Sequence, residues 1–285
     1  MEYRKRVRHT LFLAALFALT ACLKDYDLSG FIYSADRSNE RFEQSMAWNR
    51  LHPRQDIIVD SDNYTFLAAG DSHSGSTTNL DIFIEKVLEP EIAFPLIIGD
   101  MSSGSDYDYT TVFRHMMRMA PVPTFMTVGN HDLYFDGWTS YRKYFGSSTY
   151  SFKVVSPDGT DLFICLDTGT GTLGTKQMKW LKETLINSRN SCRNCIVFTH
   201  VNFFREHQTL STNPLVEELY SLLDLFVDYR VNMVIMGHDH KRSVELFGMT
   251  HYVTLDALED EADNASYLRI TNKKGELSYE FIEVD

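Results

Sequence analysis

Side chains of types that bind divalent cations cluster in five short groups of this 285-residue sequence. The groups are Asp71-Ser72-His73, Gly99-Asp100, Gly129-Asn130-His131-Asp132, Thr199-His200 and Gly237-His238-Asp239-His240. Imidazole, carboxylate and amide donors without a thiolate suit Mn, Fe, Zn, Co or Ni and disfavour a cysteine-type structural zinc site. In extended chain, residues two apart point to the same side. Asp71 with His73, and His238 with His240, can therefore each serve one centre. Asn130 and His131 are adjacent and diverge, which suits one on metal and the other facing substrate. Asp100 can bridge two cations with its two oxygens. Two divalent ions set against Asp71, Asp100 and a hydroxide keep a net charge of about +1, which draws in phosphate.

Each group follows a short apolar run: residues 64–69, 95–98, 122–128, 196–198 and 231–236. Runs of this length are expected to be buried strands of a layered α/β sheet. Ligands of open α/β sheets bind outside the carboxyl ends of the strands. Five groups at five strand ends imply one shared site. Between them the pattern predicts helices over 79–88, with Asn79 as N-cap, and over 110–119, 176–187 and 213–227, with Pro214 in a first turn. Further strands are expected over 151–155 and 162–166, and the tail is strand-only over 251–255, 267–270 and 277–284. Alternation followed by a strand-rich tail predicts two sheets packed face to face and flanked by helices. The catalytic domain is expected to span 61–285. Residues 22–60 form a tether and then a wrapping segment that docks through Trp48 and the Leu51-His52-Pro53 turn.

Taken in order, Asp71-x-His73, Gly99-Asp100, Gly129-Asn130-His131-Asp132, His200 and Gly237-His238-x-His240 resemble the calcineurin-like metallophosphoesterases over residues 71–240. The resemblance implies a four-layer αββα sandwich with two mixed sheets. It implies two divalent metal ions, one on Asp71, His73, Asp100 and His240, the other on Asp100, Asn130, His200 and His238. It further implies hydrolysis of a phosphate mono- or diester by a hydroxide bridging the two metals, with His131 protonating the leaving oxygen or stabilising phosphoryl charge. One position departs from relatives: Ser103 stands where protein phosphatases carry aspartate and purple acid phosphatases a tyrosine ligand. Asp106 or Asp108 is a candidate to compensate.

Composition narrows the alternatives. A hydrophobic fraction of 44% excludes a disordered chain, and a formal net charge of -12 opposes a nuclease or any broad nucleic-acid surface. Arg4, Lys5, Arg6 and Arg8 precede an apolar run over 11–18 that is too short to span a membrane. Leu19-Thr20-Ala21-Cys22 then resembles a bacterial lipobox. It implies a signal peptide over 1–21, lipidation of Cys22 and an envelope lipoprotein, with Leu23 favouring the outer membrane. Cys192 and Cys195 have C-x-x-C spacing but no second pair to complete a zinc knuckle, leaving a disulfide or two idle thiols.

Gly169 to Gly174 match G-x-G-x-x-G, but the strand after them ends in Thr199-His200 rather than an acidic residue, so a tight turn is expected. Arg205 is a candidate to reach a substrate phosphate with its planar fork, alongside Asn130. Tyr134, Phe135 and Trp138 are either loop packing or a wall beside the leaving group. His9, His52, His115, His207 and His251 are expected to be ordinary polar residues, and Met116 and Met117 core filler. The reading is a phosphoesterase acting on a small phosphorylated substrate. The alternatives are a non-catalytic binding lipoprotein on the same fold, or a nuclease.

Overall fold

The computed structural model describes residues 37–73, 77–204 and 216–284. In chain order the elements are α1 (Ser38–Leu51), β1 (Ile57–Ile58), β2 (Asn63–Ala69), α2 (Thr78–Val87), β3 (Ile92–Ile97), α3 (Asp106–Met116), β4 (Phe125–Met126), α4 (Gly137–Tyr144), β5 (Tyr150–Ser156) and β6 (Gly159–Cys165). They continue as α5 (Gly174–Ser188), β7 (Asn194–Phe198), α6 (Val216–Asp228), β8 (Met233–Met236), β9 (Ser243–Phe247), β10 (Thr250–Thr254), β11 (Ser266–Lys273) and β12 (Glu276–Glu283).

Two mixed sheets result, one of order β1-β5-β6-β7-β8-β10-β9 and one of order β12-β11-β2-β3-β4. In the first, β6, β7, β8 and β10 run parallel, and in the second β2, β3 and β4 do. The carboxyl ends of each parallel set therefore share one edge. The sheets face each other across Phe66, Phe94, Phe125, Phe152, Phe163 and Phe198, with Phe125 stacked on Phe152 at 3.6 Å between centroids. Burying each such ring contributes about 1.5–3 kcal/mol. Phe83, Val112 and Trp138 from α2, α3 and α4 cover the outside of the five-stranded sheet. Leu181, Leu222 and Phe226 from α5 and α6 cover the other. The result is the four-layer αββα sandwich with two mixed sheets.

At the end away from the parallel strands' carboxyl termini, Asp161 on β6 ties the sheets together. It accepts hydrogen bonds from Tyr64 Oη at 2.8 Å, Arg193 Nη2 at 2.7 Å and Asn272 Nδ2 at 2.7 Å. On the outside, α1 sends Arg41 into a fully buried pair with Asp167, 2.8 Å from Nε to Oδ2. Trp48 packs against Gly146, and β1 pairs with β5.

Several local expectations are corrected. Helix α2 is not capped by Asn79: Asp260, from beyond β10, accepts the Thr78 and Asn79 backbone N–H groups at 3.0 and 2.8 Å. The run over 122–128 pairs only through Phe125 and Met126. Met117 is half exposed rather than core. Helices α1 and α4 and strands β1 and β9 have no counterpart in the sequence pattern. Cys192 and Cys195 are separate buried thiols, not a disulfide. The start expected for α6 at 213 lies outside the described residues. No helix among the described residues is long and apolar enough to cross a membrane.

Candidate metal centre

The five groups sit where β2, β3, β4, β7 and β8 end, and the backbone there is bent hard. Asp71, His73, Asp100, His238 and His240 all take positive φ, between 36° and 78°. Left-handed backbone costs a non-glycine residue free energy and persists only where the surroundings fix it. Here the fixing is by hydrogen bonds between loops: Asp71 N donates to Gly99 O, His73 N to Asp100 O and Gly237 N to His200 O. Glycines permit the close approach. A Cβ on Gly99 would sit 2.6 Å from Gly129 N, and one on Gly129 would collide with the Asp100 carboxylate.

His200 and Asp100 lie at the centre, both buried. His200 Nδ1 is 2.7 Å from the Ile98 carbonyl, which can only accept, so Nδ1 carries the proton. Its Nε2 then faces Asp100 Oδ2 at 3.1 Å and Asn130 Oδ1 at 3.2 Å. The Asn130 amide is oriented by donating Nδ2 to Tyr134 Oη at 3.3 Å. Asp100 Oδ2 has no hydrogen-bond donor of its own. Three acceptors pointed at one another in a dry site require a positive charge between them, a proton or a metal ion. His238 completes this half, its ring nitrogen within 4.8 Å of the Asp100 and His200 donor atoms.

The other half has the same character. His73 Nε2 and His240 Nε2 are 3.1 Å apart, and His240 Nε2 is 3.4 Å from Asp71 Oδ1. Burial lowers the His73 pKa, which keeps a lone pair available. Asp71 also accepts the His238 backbone N–H at 3.1 Å. Burial opposes ionisation of Asp71 and Asp100, but the surrounding histidines, His200 foremost, hold both carboxyls below the usual range. Burial would lower His200 and His240 too, yet the carboxylates outweigh it and raise them to about 10 and about 9. The donor set and its spacing fit divalent cations.

His131 lies beside His73 and Asp100. Its backbone N–H donates to Asp100 Oδ1 at 2.7 Å. Its ring lies edge-on to His73 and tilted against Tyr134, 4.6 Å between centroids in each case. Asp132 does not orient it: that carboxylate accepts from Ser102 N and Gly129 N, clamping the two loops, and burial with Asp100 nearby raises it to about 6. Ser103 donates to Asp108, and Asp106 pairs with Lys143, so neither acid stands in for the aspartate that protein phosphatases carry there. Trp138 is core, its Nε1 donating to Gln44, while Phe135 is exposed. The Gly169 to Gly174 segment is a tight turn filled by α1, with Ser38 against Thr170, not a nucleotide cradle. Arg205 and Cys22 lie outside the described residues.

A family model for calcineurin-like phosphoesterases matches residues 64–242. The chain belongs to that family. Structures similar to this calcineurin-like phosphoesterase include GAP50, described as the anchor in the inner membrane complex of Plasmodium, at 15% identity and a TM-score of 0.57 over 78% of this chain and 89% of that one. A dimetal phosphatase from Danio rerio gives 12% identity and 0.55 over 76% and 98%. A putative 5'-nucleotidase from Staphylococcus aureus gives 18% identity and 0.53 over 78% and 53%. At such identities the likeness is one of fold. No curated protein matches.

One residue beside the donor cluster escaped the sequence pattern. Glu259 follows β10, which runs parallel to β8 and so ends at the same edge, and its Oε1 lies 3.4 Å from His240 Nδ1. The signal was present in the acid-rich stretch Asp256 to Asp260 after an apolar run.

Proposed function

We propose that the chain hydrolyses a small phosphate mono- or diester with two divalent cations. One would be held by Asp71, His73, Asp100 and His240, the other by Asp100, Asn130, His200 and His238. The family supports a metal-dependent phosphoesterase in general. The observation that carries the two-cation reading is the cluster of mutually facing acceptors, Asp100 Oδ2, Asn130 Oδ1 and His200 Nε2, beside a second cluster of His73, His240 and Asp71. When bound, two such cations neutralise phosphoryl charge and make water acidic enough to attack phosphorus near neutral pH.

The chain's own groups do the rest. Asp100 spans both positions and anchors the His131 backbone. Asn130 is neutral where a third carboxylate would cancel the attraction for an anionic substrate. His131, its ring bracketed by His73 and Tyr134, gives a proton to the leaving oxygen or a hydrogen bond to a phosphoryl oxygen. Arg205 is proposed to contact the substrate phosphate. The test is reconstitution of chelator-treated protein with Mn²⁺, Zn²⁺, Co²⁺, Fe²⁺ or Ni²⁺ against p-nitrophenyl phosphate, bis-p-nitrophenyl phosphate, nucleotides and sugar phosphates. Activity returning at two equivalents is expected. Protein that takes up no ion and turns over nothing sinks the reading in favour of a binding role on the same fold.

The Leu19 to Cys22 stretch supports a further part of this proposal, that the mature protein is lipidated at Cys22 and held at the bacterial outer membrane. Cys22→Ser should release it from the membrane fraction.

A further inference from the structure

Resting on the two-cation reading, we propose that Glu259 is the positioning residue for His240 and makes the cation position of Asp71, His73 and His240 the tighter of the two. The two halves of the site are backed differently. His200 leans its Nδ1 on a neutral peptide carbonyl, Ile98 O at 2.7 Å. His240 has a carboxylate behind its Nδ1, Glu259 Oε1 at 3.4 Å, an ion-pair contact rather than a hydrogen bond. A carboxylate behind a ligating imidazole fixes the tautomer with the proton on Nδ1, holds the ring plane and makes Nε2 a stronger donor. His240 needs this more than His200 does. It is over a third exposed and takes positive φ, whereas His200 is wholly enclosed by protein.

Glu259 is itself held in place from both sides. Its backbone N–H donates to Asp71 O at 3.1 Å, and Leu258 N donates to Gly70 O at 3.0 Å. Leu258 is buried among the residues under α2. Asp260 caps α2 through Thr78 N and Asn79 N. Three consecutive residues thus lock the segment onto the end of β2, and the middle one faces the ligand histidine. The charge distribution points the same way. The first position has its own carboxylate in Asp71, a share of Asp100 and Glu259 behind it. The second has a share of Asp100 and the neutral Asn130.

Co²⁺ titration of the full chain against a competing chelator, followed by the visible absorption of the bound ion, tests the assignment. Wild type should take up two equivalents in separable steps. Glu259→Ala should weaken the tighter step by about 10–100-fold, the usual cost of removing such a backing group, and leave the weaker step in place. Glu259→Gln, which retains an acceptor for Nδ1–H, should recover part of the loss. Glu276→Gln, at an exposed acid of β12 at the opposite end of the sheet, is the control and should change neither Co²⁺ affinity. Equal weakening of both steps, loss from the weaker step only, or unchanged affinities in Glu259→Ala would each overturn the inference while leaving the proposed function standing. A wild-type chain that binds no Co²⁺ overturns both.

Discussion

His131 is tied to the site by its backbone rather than its ring. The N–H donated to Asp100 Oδ1 fixes where the residue begins, and Tyr134 limits how the ring tilts. Replacing the imidazole therefore removes the proposed proton donor without dismantling the donor set beneath it. His131→Asn should retain two equivalents of metal by elemental analysis and lose about 10²–10⁴-fold in kcat, the usual worth of a positioned acid or base. Loss of metal together with activity would make His131 a ligand, which its ring nitrogen, within 4.8 Å of the His73 and Asp100 donors, makes worth separating. At this scale the site was largely legible: Asp71, His73, Asp100, Asn130, His200, His238 and His240 stand out because side-chain type and strand-end position agree. Glu259 and the clamp from Asp132 to Ser102 were not, since both depend on which loops meet across the fold.

The elements show where local pattern stops being informative. Helix α2 starts under Asp260, and α5 under Glu218 of α6, whose carboxylate accepts from Leu173 N and Gly174 N at 2.5 and 3.1 Å. In both cases the capping oxygen comes from a distant part of the chain, and neither helix has a side-chain bond from its own N-cap residue. A rule that searches the residue just before a helix finds nothing there. Strand β9 was missed for a different reason: as an edge strand it exposes Val244 and Leu246, so it lacks the buried run that marked the others. Helix α1 has almost no apolar face, and a charge holds it, Arg41 against Asp167 with Ser148 Oγ and Gly169 N on the same carboxylate. Arg41→Met should leave Asp167 buried without its cation and destabilise the fold by about 3–5 kcal/mol in urea unfolding. A change below about 1 kcal/mol would mean that α1 is a removable strap. Because the Asp167 loop packs Gly169 against Leu133 and Gly129, the same variant should also loosen the Asn130–His131 turn and lower activity.

Across the whole molecule, the two sheets are joined at one end by a hydrogen-bonded clamp around Asp161 and at the other by the site itself. The site end holds Asp71 and Asp100 together with His73, His200, His238 and His240, and some cation must balance them. In chelator-treated protein that cation is a proton, which gives stability a definite pH dependence. His200 and His240 rise to about 10 and about 9 on folding, from about 6.5 in an unfolded chain. A pKa raised by folding stabilises fully below the unfolded value and ceases to do so as pH climbs through the folded one. Asp71 and Asp100 are shifted the opposite way, so their contribution is present above about pH 4 and lost in acid. Stripped protein should therefore show a Tm that falls steadily from about pH 6.5 toward pH 10. Metal-loaded protein should hold its Tm through pH 8–9, because the ion takes the place of the protons and stabilises only the folded state. Thermal melts with and without chelator across that range decide the matter. A stripped protein whose Tm is level from pH 6.5 to 10 would mean that the histidines do not balance the carboxylates, and that the two sheets are held at this end by packing alone.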